Sequence, residues 1–184
     1  MGITKATAKA KASGHEKVYD GTAFECELSS KHAGDFEGVA AEDTLLGKAS
    51  TGTNVNAGTY TSANGTVVVS AWADPTTDTN INNYIIVYEA TLKINPKDIS
   101  NDDIGPVVVN YDPYPEYNGT DQRPDGQAGF SVHYKPAGKP EIIMGNNADY
   151  IVTGETGKDA TAVDAYTLTI TGTGTNYTGT KTVT

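Results

Sequence analysis

The side chains that could do chemistry in this chain are few, and their spacing is poor. The three histidines, His15, His32 and His133, have no pairwise spacing that makes a metal-binding face, and the lone Cys26 cannot complete a zinc set. Cys26 alternates with Phe24 and Leu28, so core packing is the expected role rather than nucleophilic attack, for which no basic partner is identifiable. The run "DPTTDTNINN" clusters Asp74, Asp78 and Asn80, oxygen ligands that calcium would accept. It lacks the spacing and glycine of an EF-hand loop, so turn chemistry is the better reading. A second acidic set, Asp98, Asp102 and Asp103, is read as solvated charge, with a cation bridge as the alternative. No Ser-His-Asp order, Gly-rich phosphate loop or separated carboxylate pair stands out, although acidic pairs far apart in sequence can meet in space. The expectation is therefore no catalytic residue, no cofactor site and no metal site.

Composition narrows the class further. Thirteen Lys and Arg face 23 Asp and Glu, a formal charge of −10, and Arg123 is the one arginine. Nucleic-acid partners are excluded on that balance, because phosphate binding needs clustered cations. No apolar run approaches the ~18 residues of a membrane span. The opening "MGITKATAKAKA" has no apolar stretch of the signal-peptide kind, and the chain reads as a piece of something longer. Eleven Tyr with abundant Thr, Gly and Asn favour strands and turns over helices. The best helical candidate is one short turn near Gly38–Lys48.

Alternation marks the strands that would position any site. In "GTVVVSAWAD", Val67, Val69 and Ala71 share one face, and Val68, Ser70 and Trp72 share the other. In "YIIVYEATLKIN", Ile86, Tyr88, Ala90, Leu92 and Ile94 alternate with Val87, Glu89, Thr91 and Lys93, a half-buried edge pattern. The dipeptides Asp20-Gly21, Asn64-Gly65 and Asn118-Gly119 favour tight hairpin turns. The Asn-x-Thr sequons at Asn64, Asn118 and Asn176 are read as turns too.

The chain also repeats itself. "EKVYDGTAFEC" returns as "YPEYNGTDQRP", aligning Tyr19 with Tyr117. "TNVNAGTYTS" is matched by "DATAVDAYTLTI", and "NINNY" by "GTNY". Pro96 cannot donate to a ladder and ends the first copy, so two modules are expected, residues 1–95 and 96–184, joined by a short stiff linker. Ile99 should open the second copy, whose last strand is expected to be short. Short strands with frequent turn signals point to an all-β protein of two tandem sandwiches, with a β-grasp-like repeat as the architectural alternative.

"KVYDGT", "NAGTYT", "NNY" and "ATLKINPKDIS" together resemble the YDG and MBG-type repeat modules of large bacterial surface proteins. Copy two departs from that pattern mainly over residues 105–112 and 130–144. The resemblance implies immunoglobulin-like β-sandwich modules, an extracellular setting on a bacterial cell surface and a non-catalytic spacer role within an adhesin-like protein. Its partners would be the neighbouring domains of that protein. The alternatives are a module that binds carbohydrate or a host protein, for which Trp72 offers a stacking face, and an accessory domain of a secreted glycoside-processing enzyme. "NAGTYTS" also has the form of the tyrosine corner of immunoglobulin-like sandwiches, which would tie the Tyr60 hydroxyl to backbone just upstream. A Lys-Asn or Lys-Asp isopeptide staple, with Lys5, Lys9 or Lys11 as donor, is weighed and not expected.

Overall fold

The computed structural model describes residues 2–111, 130–154 and 167–183. The chain divides into two compact units, Met1–Asn95 and Pro96–Thr184. Both are built from strands. In the first unit these are β1 (Ala6–Ala10), β2 (Glu16–Val18), β3 (Glu25–Ser29), β4 (Phe36–Glu37), β5 (Leu45–Ser50), β6 (Gly58–Thr61), β7 (Val68–Ala73), β8 (Tyr84–Tyr88) and β9 (Thr91–Asn95). The second has β10 (Lys97–Asp98), β11 (Val107–Tyr111), β12 (Phe130–Tyr134), β13 (Ile142–Met144), β14 (Tyr150–Gly154), β15 (Leu168–Gly172), β16 (Tyr177–Thr178) and β17 (Thr180–Val183).

In the first unit, β3, β5 and β7 form an antiparallel sheet in that spatial order. The alternation read in "GTVVVSAWAD" holds: Val69 and Ala71 turn inward, while Val68, Ser70 and Trp72 are exposed. β5 has the same period, with Leu45, Gly47 and Ala49 buried. Gly47 is required there, because a Cβ would stand 2.6 Å from the Ser70 carbonyl and 3.2 Å from the Phe36 ring. The expected helical turn near Gly38–Lys48 is therefore wrong. Leu45 to Lys48 open a strand, since alternate burial suits period two. Among the described residues the one helical element is a 3₁₀ turn at Ile81–Asn83, capped by the Asn80 side chain.

The remaining strands are ordered by parallel pairing. β1 runs parallel to β8, with Ala6 opposite Tyr84 and Ala10 opposite Tyr88. β2 runs parallel to β9, with Glu16 opposite Lys93 and Val18 opposite Asn95. Between these ladders the Glu89 N–H donates to the Ala10 carbonyl and the Thr91 N–H to the Lys11 carbonyl. "YIIVYEATLKIN" is thus two strands, not one edge strand as its alternation suggested. It breaks at Glu89-Ala90, and β9 is the centre of a sheet, flanked by β2 and β6. The second unit repeats the device: β10 pairs parallel with β16, Lys97 opposite Tyr177. Pairing there begins at Lys97, ahead of the expected start at Ile99. The segment in which copy two departs from the repeat pattern forms its own antiparallel sheet, β11-β12-β13.

The expected hairpins are corners instead. Asp20-Gly21 carries the chain from β2 to β3, and Asn64-Gly65 from β6 to β7; in each case the two strands lie in different sheets. Glycine serves both turns through positive φ, +77° at Gly21 and +72° at Gly65. Asn118-Gly119 lies outside the described residues.

The core of the first unit is small-residue packing. Ala12, Leu28, Ala49, Val67, Ala90 and Leu92 form one cluster, flanked by Phe24, Cys26, Phe36, Tyr60 and Val69. Ala8, Leu45 and Tyr84 form a second, and Phe36 touches both. In the second unit Val107, Val132, Tyr134, Met144, Ile170 and Tyr177 are buried, and the rings of Tyr134 and Tyr177 meet edge-on at 6.3 Å. The Tyr60 hydroxyl donates to the Asn56 carbonyl at 2.7 Å, the upstream bond expected of a tyrosine corner. Its counterpart in copy two, Tyr166, lies outside the described residues. Tyr60→Phe should lower the first unit's stability by about 1 kcal/mol through loss of that bond. Tyr60→Ala should cost about 3 kcal/mol because ring volume is lost as well. Chemical denaturation of residues 1–184 and the two variants reads both, and equal stability of wild type and Tyr60→Phe would remove the hydroxyl from the account.

Candidate functional site

One two-bond device accounts for most of the oxygen-rich motifs. An Asp or Asn side chain accepts both the N–H and the hydroxyl of the Thr or Ser two residues on. Asp20 holds Thr22 at 2.9 and 2.7 Å, and Asn64 holds Thr66 at 3.1 and 2.5 Å. Asp74 holds Thr76 at 2.9 and 2.7 Å, and Asp98 holds Ser100 at 2.9 and 2.7 Å. The calcium candidate Asp74–Asn80 is therefore committed to turns: the bonds to Thr76 hold the Asp74 carboxyl below its ordinary value, and the Asn80 side chain accepts from the Asn82 N–H. Among the described residues no three His, Cys, Asp or Glu side chains are arranged to hold a metal ion.

At the acidic set 98–103 the chain supplies its own cations. Lys97 is 1% exposed, and its ammonium donates to the Asn101 carbonyl and lies 5.4 Å from the centre of the Tyr134 ring. Burial pulls the Lys97 pKa down, while Asp102 and Asp98 pull it up less strongly. Lys181 pairs with Asp102 at 3.3 Å. The lysines weighed for a staple behave otherwise: Lys9 pairs with Glu89 at 3.0 Å, and Lys11 pairs with Glu37, both at the surface.

Histidines distant in sequence meet at Asp35. This carboxylate is fully buried and accepts from His15 Nε2 at 2.5 Å and from the Ser29 N–H at 2.9 Å, with His32 Nδ1 at 3.6 Å. Its backbone carbonyl accepts the Lys11 N–H at 2.8 Å. The carboxylate ties β3, through Ser29, to the segment between β1 and β2, through His15. Cys26 lies nearby; burial first, and then the Asp35 charge, push its thiol up to about 11, so it stays protonated at neutral pH and packs against the core. Trp72 is 39% exposed on the outer face of β7, opposite Leu46 of β5.

The second unit brings His133 together with two side chains, Ser131 and Glu141, that sequence order did not single out. On β12 the inward residues are Val132 and Tyr134, which leaves Ser131 and His133 on the outer face. His133 Nε2 lies 2.8 Å from Ser131 Oγ, and His133 Nδ1 lies 3.0 Å from Glu141 Oε1. Lys135 Nζ holds the same carboxylate oxygen at 3.4 Å. Across the sheet, His133 stands between Val108 of β11 and Ile143 of β13, and Ser131 stands opposite Asn110. A hydroxyl, an imidazole and a carboxylate in series are the elements of a proton relay. The signal was a Ser-x-His pair on one strand face, which becomes meaningful only once the hairpin returns Glu141 beside it.

The Lys17–Asp20 pair gives a sharp test of the "KVYDGT" motif. Lys17 Nζ reaches Asp20 Oδ1 at 2.5 Å and the Thr22 carbonyl at 2.8 Å. Burial raises the Asp20 carboxyl, but the bonds from Lys17 and Thr22 together outweigh it and leave the group below its ordinary value of 3.8. A carboxyl depressed on folding stabilises above its unfolded pKa, and that contribution is lost as pH falls through the folded value. Thermal stability of the wild type should therefore drop more steeply below about pH 4 than that of Asp20→Asn. Melting curves of the two proteins across acid pH check this, and parallel slopes would refute it.

Among the described residues no helix is long and apolar enough to cross a membrane. No protein-family model, no curated protein and no solved structure matches the chain.

Proposed function

We propose that the chain is a tandem pair of immunoglobulin-like β-sandwich modules that act as a spacer in a bacterial cell-surface, adhesin-like protein, joined to neighbouring domains of that protein. The observation that carries this reading is the parallel pairing of the opening strands of the first unit with its closing strands. In the first unit the opening strands β1 and β2 lie beside and parallel to the closing strands β8 and β9. Adjacent parallel strands start at the same end of a sheet and finish at the same opposite end. The chain thus enters the unit at one end and leaves it, at Asn95, at the other. The second unit starts in the same way, with β10 parallel to β16. A module of that form adds length with each copy, which is what a spacer requires. The charge of −10 suits such a role, because net charge of that size opposes association.

The competing reading, a module that binds carbohydrate, rests on Trp72 and its cross-strand neighbour Leu46. Two measurements separate them. With the pair placed between a cell-wall anchor and a reporter epitope, antibody access to the epitope should rise as copies of residues 1–95 are added. A glycan array probed with residues 1–184 should give no signal that Trp72→Ala abolishes. Access independent of copy number, or a Trp72-dependent glycan signal, would overturn the spacer reading.

A further inference from the structure

We infer that Ser131, His133 and Glu141 form a nucleophilic relay that accepts the acyl group of small acetyl esters. The contacts allow one ordering of roles. In the tautomer that the relay uses, His133 Nδ1–H donates to the Glu141 carboxylate 3.0 Å away. Nε2 is then the ring's acceptor, and it lies 2.8 Å from the Ser131 hydroxyl. This is the order nucleophile, general base, orienting carboxylate, recognised by geometry rather than by chain order.

The surroundings hold the relay in place. His133 retains 16% side-chain exposure, because Val108 and Ile143 flank it across both neighbouring strands. Lys135 at 3.4 Å fixes the Glu141 oxygen that the imidazole uses. Ser131 and His133 share a strand face, and the register opposite Asn110 is set by the β11–β12 ladder, so the nucleophile and base sit on regular backbone. Asn110 places an amide beside the nucleophile, since facing residues of an antiparallel pair hold their Cβ atoms ~5 Å apart. An amide there is the kind of donor that stabilises an oxyanion. An open sheet face suits a small, unhindered acyl group.

The step balances without any further reagent. Ser131 Oγ attacks the ester carbonyl carbon as its proton passes to His133 Nε2. The tetrahedral intermediate collapses, the C–O bond to the leaving group breaks, and the alcohol departs with the proton from Nε2. Water then attacks the acetyl-serine by the same route, releasing acetate and restoring Ser131.

The test is incubation of residues 1–184 with p-nitrophenyl acetate, following nitrophenolate release and mapping the acetylated residues by peptide mass spectrometry. Acetyl should appear on Ser131 and be absent from that position in Ser131→Ala, whose melting curve should match wild type. His133→Gln and Asn110→Ala should each slow acetylation of residue 131 by about 10²-fold. Glu141→Gln, which acts through the imidazole, should slow it too, with partial rescue by Glu141→Asp. Acetylation confined to lysines, or a Ser131 rate unchanged in His133→Gln, would overturn the inference. Either result leaves the spacer reading untouched, since that rests on strand direction alone.

Discussion

The constraint on which the architecture depends is that each unit opens on a strand laid parallel beside one from near its close: β1 and β2 beside β8 and β9, and β10 beside β16. A parallel pair cannot be closed by a tight turn, so everything between β1 and β8 is in effect one long crossover connection. That connection must return the chain to the far side of the unit, and the antiparallel β3-β5-β7 sheet is what fills it. The Asn-Tyr segment is where the return is made: Tyr84 opens β8 opposite Ala6, and Tyr177 opens β16 opposite Lys97. The Tyr84 hydroxyl donates to Asp43 at 2.5 Å and accepts the Ala40 N–H at 3.1 Å, so the same residue anchors the loop ahead of β5. A motif that looks like a spacing marker in sequence is a closure in space.

How much of this could be read from the residues depends on whether the signal was local. Burial alternating with period two along Val68–Ala73 is local, and it read correctly. So were the Asp and Asn turns, because a side chain capping a residue two positions on needs nothing else from the fold. What those turns connect is not local. Asp20-Gly21 has the composition of a hairpin and the position of a corner, since the β2 partner comes from Thr91–Asn95 at the end of the unit. The break at Glu89-Ala90 was hidden for the same reason: residue types keep alternating through it, and it shows only in the fold, as the change of partner from β1 to β2 and as the exposure of Tyr88 ahead of buried Ala90. Clusters around Asp35 and His133 were the least legible. They require register, and a single histidine carries no register information.

Charge burial follows one rule in both units. Asp35 and Lys97 are essentially inaccessible, and each is met by groups from several elements. Asp35 draws on a histidine between β1 and β2 and on the Ser29 amide of β3. Lys97 draws on the Asn101 carbonyl, the face of Tyr134 and the field of Asp102 and Asp98. An unpaired charge at either position would be costly, whereas a satisfied one specifies which segments must come together. The alanine-rich first core supplies little shape specificity of its own, so a buried carboxylate that accepts only particular donors is an effective substitute.

The parallel closure also has a mechanical meaning. Tension applied at residue 1 and at Asn95 pulls β1–β2 and β8–β9 in opposite directions along their shared ladder. The load then falls across many backbone hydrogen bonds at once, in shear, rather than on one bond at a time as when an antiparallel hairpin is peeled from its end. Short individual strands become strong in series when they are loaded this way. A unit with a thin core and no disulfide can therefore resist extension through the geometry of its first and last strands.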